Sequence, residues 1–189
     1  MDADLIRIAR FLSAGRAVAR TAANPAKVTL EGGRGVIAID PVTKTADVQG
    51  MCTYEDLVDA TLPYGLVPLV VPQLKTITLG GAVTGMGVES TSFRNGLPHE
   101  SVLEMDVLTG TGEILTCSRE ENVELFRSFP NSYGSLGYVV RLKIELEDVA
   151  PFVELAHVRY SDLTQFQDAL ASASASGTWE GREIHGLDA

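Results

Sequence analysis

One stretch, LKTITLGGAVTGMGVESTS from Leu74 to Ser92, constrains this chain more than any other. Its glycines are Gly80, Gly81, Gly85 and Gly87, and its hydroxyl residues are Thr76, Thr78, Thr84, Ser90, Thr91 and Ser92. Glycine allows positive φ and close approach to the backbone, and N–H groups that open a helix attract anionic or electron-rich ligand atoms. Two interpretations stay open on this pattern alone: a bend between strands, or a cradle for a flat polar ligand.

The charge balance narrows the range of partners. The 189 residues include 15 Lys and Arg against 25 Asp and Glu, which gives a formal net charge of −10, and no window is rich in basic residues. Nucleic acids and anionic membranes are bound by basic clusters, so we expect neither as a partner. The N-terminus lacks a basic region followed by a long apolar run. We therefore expect no signal peptide, no membrane-spanning helix and a cytoplasmic location.

The cysteines and histidines show no metal-binding pattern. Cys52 and Cys117 lie far apart and match no metal spacing, so we expect two buried free thiols. His157 and His185 have no ligand-spaced partners, so no metal site is predicted.

Periodicity and turn signals predict alternating short elements before the glycine stretch. An amphipathic helix is expected over residues 2–14, and strands over residues 16–19, 27–30, 36–40 and 45–49. Thr53 and Asp56 resemble a capping box, which predicts a helix over residues 54–62.

A second set of elements follows the glycine stretch. After a loop at residues 94–100, alternation predicts a hairpin of residues 103–108 and 114–117, and Ser118 with Glu121 predicts a helix over residues 119–128. Residues 138–146 alternate as a half-buried strand with Val140 among its inward positions. A strand at 153–160, a helix at 162–173 capped by Ser161, and a tail without regular structure complete the prediction. The fold class is α+β.

With these motifs in order, the chain resembles a known family. The segments TITLGGAVTGMGVESTSFRNGLPHESVLEMDVLTGTGE and ENVELFRSFPNSYGSLGYVVRLKIEL look like the FAD-binding domain of the vanillyl-alcohol-oxidase or p-cresol-methylhydroxylase (PCMH) type. Within that family they are most similar to Δ24-sterol reductases and their bacterial relatives. The likeness covers residues 36–146. It implies a domain at 1–150 made of two α+β subdomains, at 1–50 and 51–150, the second with a mixed or antiparallel sheet flanked by helices.

The resemblance also implies which residues hold the cofactor FAD. The flavin ring and ribityl chain are expected along Thr78, Leu79, Gly80, Gly81, Ala82, Thr84, Gly85, Gly87, Glu89 and Ser90. The adenine end is expected at Gly137, Tyr138 and Val139. Backbone N–H groups near the ring would stabilise the negative charge of reduced flavin, and a β-carbon at Gly80 or Gly81 would push the ring away.

Two departures from the family pattern limit this prediction. The pyrophosphate loop of the family corresponds to residues 20–27 here, where only Thr21 and Asn24 match. Family members also continue through a whole substrate-binding cap domain, of which residues 151–189 would be the beginning. The resemblance therefore assigns no catalytic residue, and the flavin attachment, the electron donor and the oligomeric state stay open.

Several polar residues have both a functional and a structural interpretation. Glu89 could orient the flavin or be a loop carboxylate, and His99 could transfer protons or be a bystander. Tyr133 and Tyr138 could stack on adenine or serve as structural aromatics. The carboxylate pair Glu104 and Asp106 is expected on the polar face of a strand, facing solvent.

The resemblance implies an FAD-dependent oxidoreductase that passes hydride through FAD to a C=C bond of a sterol or isoprenoid-like substrate. That activity would involve a small-molecule or lipid substrate, NADPH as a candidate donor, and loose membrane association if the substrate is a lipid. One alternative is an FAD-dependent oxidase or dehydrogenase of a hydroxylated small molecule. Another is a truncated flavin-binding module without activity of its own.

Overall fold

The structure, a computed structural model, describes residues 32–189. The predicted helix at 2–14, the strands at 16–19 and 27–30, and the pyrophosphate loop at 20–27 lie outside the described residues. The strands are β1 Val36–Asp40, β2 Thr45–Gln49, β3 Leu66–Pro68, β4 Val102–Leu108, β5 Ile114–Ser118, β6 Tyr138–Asp148, β7 Thr178–Trp179 and β8 Arg182–Glu183. The α-helices are α1 Tyr54–Thr61, α2 Leu79–Gly85, α3 Ser92–Asn95, α4 Val123–Ser128 and α5 Leu163–Ser176, and two 3-10 turns cover Leu62–Tyr64 and Pro98–Ser101.

One antiparallel sheet organises the fold. Its strand order is β1-β2-β6-β4-β5, and the short strand β3 pairs with the far end of β6. Strand β6 is central because it pairs with β2 on one side and with β4 on the other. Strands from before and after residue 50, the predicted boundary between two subdomains, belong to this one sheet. The α+β class with an antiparallel sheet flanked by helices is confirmed.

The core lies between one face of this sheet and the helices α1, α2 and α4. It is formed by buried apolar side chains, among them Val48, Leu57, Leu79, Val83, Met105, Phe129, Leu142 and Ile144. Cys52 and Cys117 are buried free thiols, as predicted. Burial raises the pKa of each thiol to about 11.

The inward pattern of β6 differs from simple alternation at its beginning. Val139 is buried, whereas Val140 is only partly buried. The register with β4 shifts at this point, since Asp106 pairs with Arg141 but Val107 pairs with Val139. An extra residue in one strand turns its neighbours to the other face. The prediction that Val140 points inward is therefore wrong.

The outer face of the sheet carries an ion network around Arg141. Its guanidinium donates to Asp106 at 2.7 Å and to Asp47 at 2.5 Å, and it also contacts Glu104. The hydrogen bond to Asp106 is the main reason why the pKa of Arg141 is raised. Glu104 and Asp106 thus lie on the polar face, as predicted, but they are partly buried against Arg141 rather than free in solvent.

Two further predictions need correction. The helix predicted at 119–128 begins only at Val123, because Ser118 Oγ accepts the N–H groups of Glu120 and Glu121 in a turn and Asn122 is left-handed, with φ of 44°. Residues 153–160 have no strand structure.

The C-terminal part contains more structure than predicted. Helix α5 begins after Asp162, whose side chain caps it by accepting the N–H of Gln165 at 2.9 Å, so Ser161 is not the cap. The expected unstructured tail forms the hairpin of β7 and β8. Among residues 32–189, no helix has the length and apolar character needed to cross a membrane.

Candidate cofactor site

Helix α2 begins on a backbone platform formed by residues 50–55. Residues 53 and 78 form a bridge, and each of the four N–H groups that open the helix has an acceptor within the chain. These hydrogen bonds run from Leu79 N–H to the Cys52 carbonyl, from Gly80 N–H to the Gly50 carbonyl, from Gly81 N–H to Thr78 Oγ1, and from Ala82 N–H to the Thr78 carbonyl. Packing and capping use these N–H groups, so they are not free donors at the start of the helix.

Gly80 serves internal packing, whereas Gly81 is exposed and lies beside the helix cap. A β-carbon at Gly80 would lie 2.7 Å from the Gly50 carbonyl oxygen and 2.8 Å from Val139 Cγ1, so Gly80 lets α2 approach the sheet. A β-carbon at Gly81 would lie 2.8 Å from Thr78 Oγ1, the atom that caps the helix. Leu79, Ala82 and Thr84 are buried, and Thr84 Oγ1 donates to the Gly80 carbonyl. The face of α2 that contains Gly80 is thus occupied by protein.

The glycines at the end of α2 have free space beside them, and we call residues 85–88 the open segment. Gly81, at the start of the helix, is exposed as well. A β-carbon at Gly85 would meet no atom within 4 Å, and one at Gly87 would meet only Glu89 Oε1, at 3.9 Å. Met86 has φ of 58° and ψ of 132°, a conformation unusual for a residue with a side chain. Met86 and Val88 are 46% and 76% exposed. The open segment offers accessible glycine backbone beside exposed apolar side chains.

Glu89 and Ser90 follow the open segment and are tied to two other parts of the chain. Glu89 Oε2 accepts the N–H of Gln73 at 3.2 Å. The Ser90 carbonyl accepts the N–H of Leu187 at 2.8 Å, from the C-terminal tail. Glu89 is therefore a fixed carboxylate rather than a free loop residue.

A cleft of about 470 Å³ lies next to the open segment. Gln73, Leu74 and Ile77 line one part, Val88 and Glu89 another, and the tail residues Leu187, Asp188 and Ala189 complete it. Its walls combine the apolar side chains of Leu74, Ile77, Val88 and Leu187 with the polar side chains of Gln73, Glu89 and Asp188. Ligand sites commonly have this character, with apolar walls and a few polar groups that fix orientation.

The residues predicted for the adenine end lie at the start of β6. Gly137 has φ of +136°, and a β-carbon there would lie 2.3 Å from the Leu108 carbonyl oxygen. This glycine is required by the close approach of β4 and β6. Val139 is buried against α2, and Tyr138 is 37% exposed. Tyr138 is thus the one residue of this group whose side chain is available to a ligand.

The loops beside α2 hold two buried polar atoms without hydrogen-bond partners in the described part of the chain, His99 Nδ1 and Ser132 Oγ. The second loop is fixed to α2 because Tyr133 N–H donates to the Thr84 carbonyl at 3.1 Å. Tyr133 itself is 55% exposed and has φ of 51°. Buried polar atoms without partners often lie beside ligands or water.

The geometry of the open segment fits a flavin ring, and the positions at the start of α2 stay predictions. An isoalloxazine ring has apolar faces and a polar edge, which match the accessible backbone of Gly85 and Gly87 and the Glu89 carboxylate. Within residues 32–189 no group of three His, Cys, Asp or Glu side chains could hold a metal ion. The described geometry leaves the individual site residues as predictions, with Gly80, Gly81 and Gly137 given structural roles as well.

The sequence interpretation missed several residues of this site. Gln73, Leu74, Ile77 and Val88 line the cleft, and the tail reaches it through Leu187. Proximity to the glycine stretch was a usable signal for the first four. No sequence signal placed the tail there, because it is far away in the chain and has no periodicity.

The chain is similar to known FAD-binding proteins. Residues 9–118 match the family model FAD_binding_4, described as "FAD binding domain". The chain is 35% identical over 133 residues to cytokinin dehydrogenase 7 from Oryza sativa subsp. japonica, which covers 69% of this chain and 25% of that protein. It is 30% identical over 177 residues to cytokinin dehydrogenase 2 from Arabidopsis thaliana, covering 87% of this chain and 35% of that protein.

A solved structure shows the same fold. The crystal structure of 6-hydroxy-D-nicotine oxidase from Arthrobacter nicotinovorans matches with a TM-score of 0.57 and 23% identity, covering 61% of this chain and 25% of that chain. The chain spans about a quarter to a third of the length of these curated relatives. A sterol reductase as the nearest relative is not shown by these matches. With a family model matched over more than half of its length, the chain belongs to the FAD binding domain family of PCMH-type flavoproteins, with FAD as its cofactor.

Proposed function

We propose that this chain is the cofactor-binding part of an FAD-dependent oxidoreductase that removes hydride from a small organic molecule. The open segment beside the cleft is the observation that carries the proposal, because it offers accessible glycine backbone, apolar walls and one fixed carboxylate at the same place. The names of the relatives, dehydrogenases and an oxidase, support this direction of electron flow. Bound FAD would supply the two-electron acceptor.

The chain's own residues would bind and orient the ring. Gly85 and Gly87 allow a flat ring to approach the backbone, and the exposed side chains of Leu74 and Val88, with Ile77, would offer it apolar surface. The Glu89 carboxylate, fixed by Gln73 N–H, would accept a hydrogen bond from the ring edge or from the substrate. We assign proton transfer to no residue described here.

Two alternative functions are considered beside this one. The likeness in residues 36–146 favours a reductase of the C=C bond in a sterol or isoprenoid chain, with NADPH as donor and a lipid substrate that brings the protein to membranes. The second alternative is a flavin-binding module without turnover of its own, which FAD binding without reduction by any donor would favour.

Flavin binding is tested first. FAD fluorescence is titrated with the purified 189-residue chain, and saturable quenching is expected. A heat and acid step then shows whether the flavin is released. A chain that leaves FAD fluorescence unchanged at all concentrations contradicts the proposal.

The direction of chemistry is tested with FAD bound and oxygen removed. Bleaching of the flavin absorption by an amine or alcohol donor, including a cytokinin and 6-hydroxy-D-nicotine, supports the dehydrogenase. Bleaching by NADPH followed by recovery with an unsaturated sterol supports the reductase. Binding without bleaching by any donor supports the module.

A further inference from the structure

The open segment has few contacts of its own, so its shape depends on how its two ends are held. Gly85 and Gly87 lack side chains, and Met86 and Val88 are largely exposed. The left-handed φ of Met86 is a strained conformation that persists only if the surrounding structure imposes it. A segment of this kind binds a rigid ring well only when its ends are fixed, because ordering it costs free energy on binding.

The upstream end is fixed by close packing. Helix α2 lies against Gly50 and Val139, and its end is joined to the next loop by the hydrogen bond from Tyr133 N–H to the Thr84 carbonyl. These contacts are mainly backbone contacts inside the core.

The downstream end is held by the hydrogen bonds of Glu89 with Gln73 and of Ser90 with Leu187. It is also held by a short turn and by the Arg94–Glu147 ion pair, which we call the clamp. Ser92 Oγ accepts the N–H of Glu89 at 2.9 Å, and Ser92 N–H donates to the Glu89 carbonyl at 2.8 Å. Ser92 begins helix α3, which has only four residues. A helix this short does not hold its own shape, so external contacts must hold it.

Those contacts come from β6 and from Leu69. The Arg94 guanidinium forms two hydrogen bonds with the Glu147 carboxylate, Nη1 to Oε2 at 2.7 Å and Nη2 to Oε1 at 2.9 Å. Asn95 Nδ2 donates to Glu147 Oε1 at 3.1 Å and to the Leu69 carbonyl at 2.6 Å. Thr91 Oγ1 donates to the same carbonyl at 2.9 Å. One carboxylate and one carbonyl thus hold the whole of α3.

The Arg94–Glu147 pair has the features of a strong ion pair. The two side chains are 30% and 26% exposed, so solvent screens them less than a surface pair. Two-point contact between guanidinium and carboxylate is also stronger and more directional than a single contact.

We propose that Arg94 and Glu147 are positioning residues for the cofactor: they fix α3 and thereby hold the open segment, with Glu89, in the shape that binds FAD. This inference rests on FAD binding by the chain. Loss of the clamp would lower the fraction of molecules with a binding-competent segment, and apparent affinity falls in proportion to that fraction.

The test compares the FAD dissociation constant of the 189-residue chain with that of the Glu147→Gln variant. We expect about a tenfold increase in the dissociation constant, from a fall of the competent fraction to about one tenth. The visible circular dichroism of the bound flavin should change as well. Amide hydrogen exchange without FAD should accelerate in residues 86–90 but not in β4 or β6.

Asp148→Asn is the matched control. Asp148 is the next residue of β6, it forms an ion pair of 2.5 Å with Lys44, and the substitution removes the same charge. Because this pair does not touch α3, the dissociation constant should stay within about twofold of the unmodified chain.

Two further variants separate positioning from general destabilisation. Arg94→Lys keeps the charge but loses the two-point contact, so it should show an intermediate affinity even if Glu147→Gln folds poorly. The exchanged pair, Arg94→Glu with Glu147→Arg, should recover part of the affinity. Folded Glu147→Gln and Arg94→Lys chains that bind FAD as tightly as the unmodified chain, with the same dichroism, would overturn the positioning role. An unmodified chain that binds no FAD would instead overturn the proposed function.

Discussion

Gly80 and Gly85 lie in the same short helix, yet they serve opposite purposes. The side of Gly80 that lacks a β-carbon is filled by Gly50 and Val139, whereas the corresponding space at Gly85 is empty to 4 Å. Both would be counted as cofactor glycines from the sequence. The comparison shows that a glycine-rich stretch can join a packed surface and an open surface within a few residues, and we expect only the open surface to respond to a ligand.

The largest effect is expected from Gly80→Ala. Its β-carbon would meet the Gly50 carbonyl oxygen at 2.7 Å, and backbone cannot move aside cheaply. We expect a loss of up to about 3 kcal/mol in the free energy of unfolding. Urea denaturation without FAD measures it. A loss below about 0.5 kcal/mol, the level of an ordinary surface substitution, would show that close packing does not require glycine at position 80.

Gly85→Ala should produce the reverse result. With open space around the β-carbon, the free energy of unfolding should change by no more than about 0.5 kcal/mol. The added methyl group would separate a flat ring from the backbone, so FAD affinity should fall about tenfold. Fluorescence titration measures the affinity. Unchanged affinity would show that the ring does not lie on the open segment.

Gly81→Val tests the boundary between the two surfaces. Its side chain would disturb Thr78 Oγ1, the helix cap, and loss of such a cap costs about 1 kcal/mol. Thr78→Ala removes the same cap without adding bulk. If Gly81→Val weakens FAD binding more than Thr78→Ala at equal stability, the ligand surface extends to the start of α2. Equal effects would limit it to the end of the helix.

At neutral pH the smallest effect, close to none, concerns the thiols of the packed region. The pKa of Cys52 and of Cys117 is raised by burial from 9.0 to about 11. Below pH 9 both the folded and the unfolded states keep these protons. Between about pH 9 and 11 the unfolded state loses them first, so stability should fall as pH rises through this window.

Urea denaturation at several pH values measures this slope. The double variant Cys52→Ala with Cys117→Ala should show a shallower slope than the unmodified chain. Added FAD should not change the slow labelling of either thiol by a thiol reagent, since neither belongs to the open segment. A labelling rate that changes strongly with FAD would show that ligand binding at the open segment affects the packed region around the thiols.

The sequence predicted what local patterns determine. Alternation located the β4–β5 hairpin and β6, and Thr53 located α1, because its side chain does accept the N–H of Asp56. The bulge beside Val140 was not predicted because it depends on the register of a partner strand. The late start of α4 was not predicted because it depends on the left-handed φ of Asn122.

The candidate site was predicted in place but not in detail. The resemblance located the cofactor near the glycine stretch, but the division between Gly80 and Gly85 depends on residues distant in sequence, Gly50 and Val139. The Arg94–Glu147 clamp was not predicted, for the same reason. Arg94 and Glu147 lie on separate elements, and nothing local in either segment pairs them.

The central position of β6 has a consequence for synthesis of the chain. Strand β2 pairs with residues 141–145 and is separated from them by about half of the sequence. At about 5–20 residues per second, the β1–β2 hairpin waits several seconds on the ribosome before its partner strand is made. During that time one edge of β2 is unpaired and can bind other extended chains. We therefore expect a nascent chain that ends before Tyr138 to need chaperone protection, and one that includes Asp148 to fold without it.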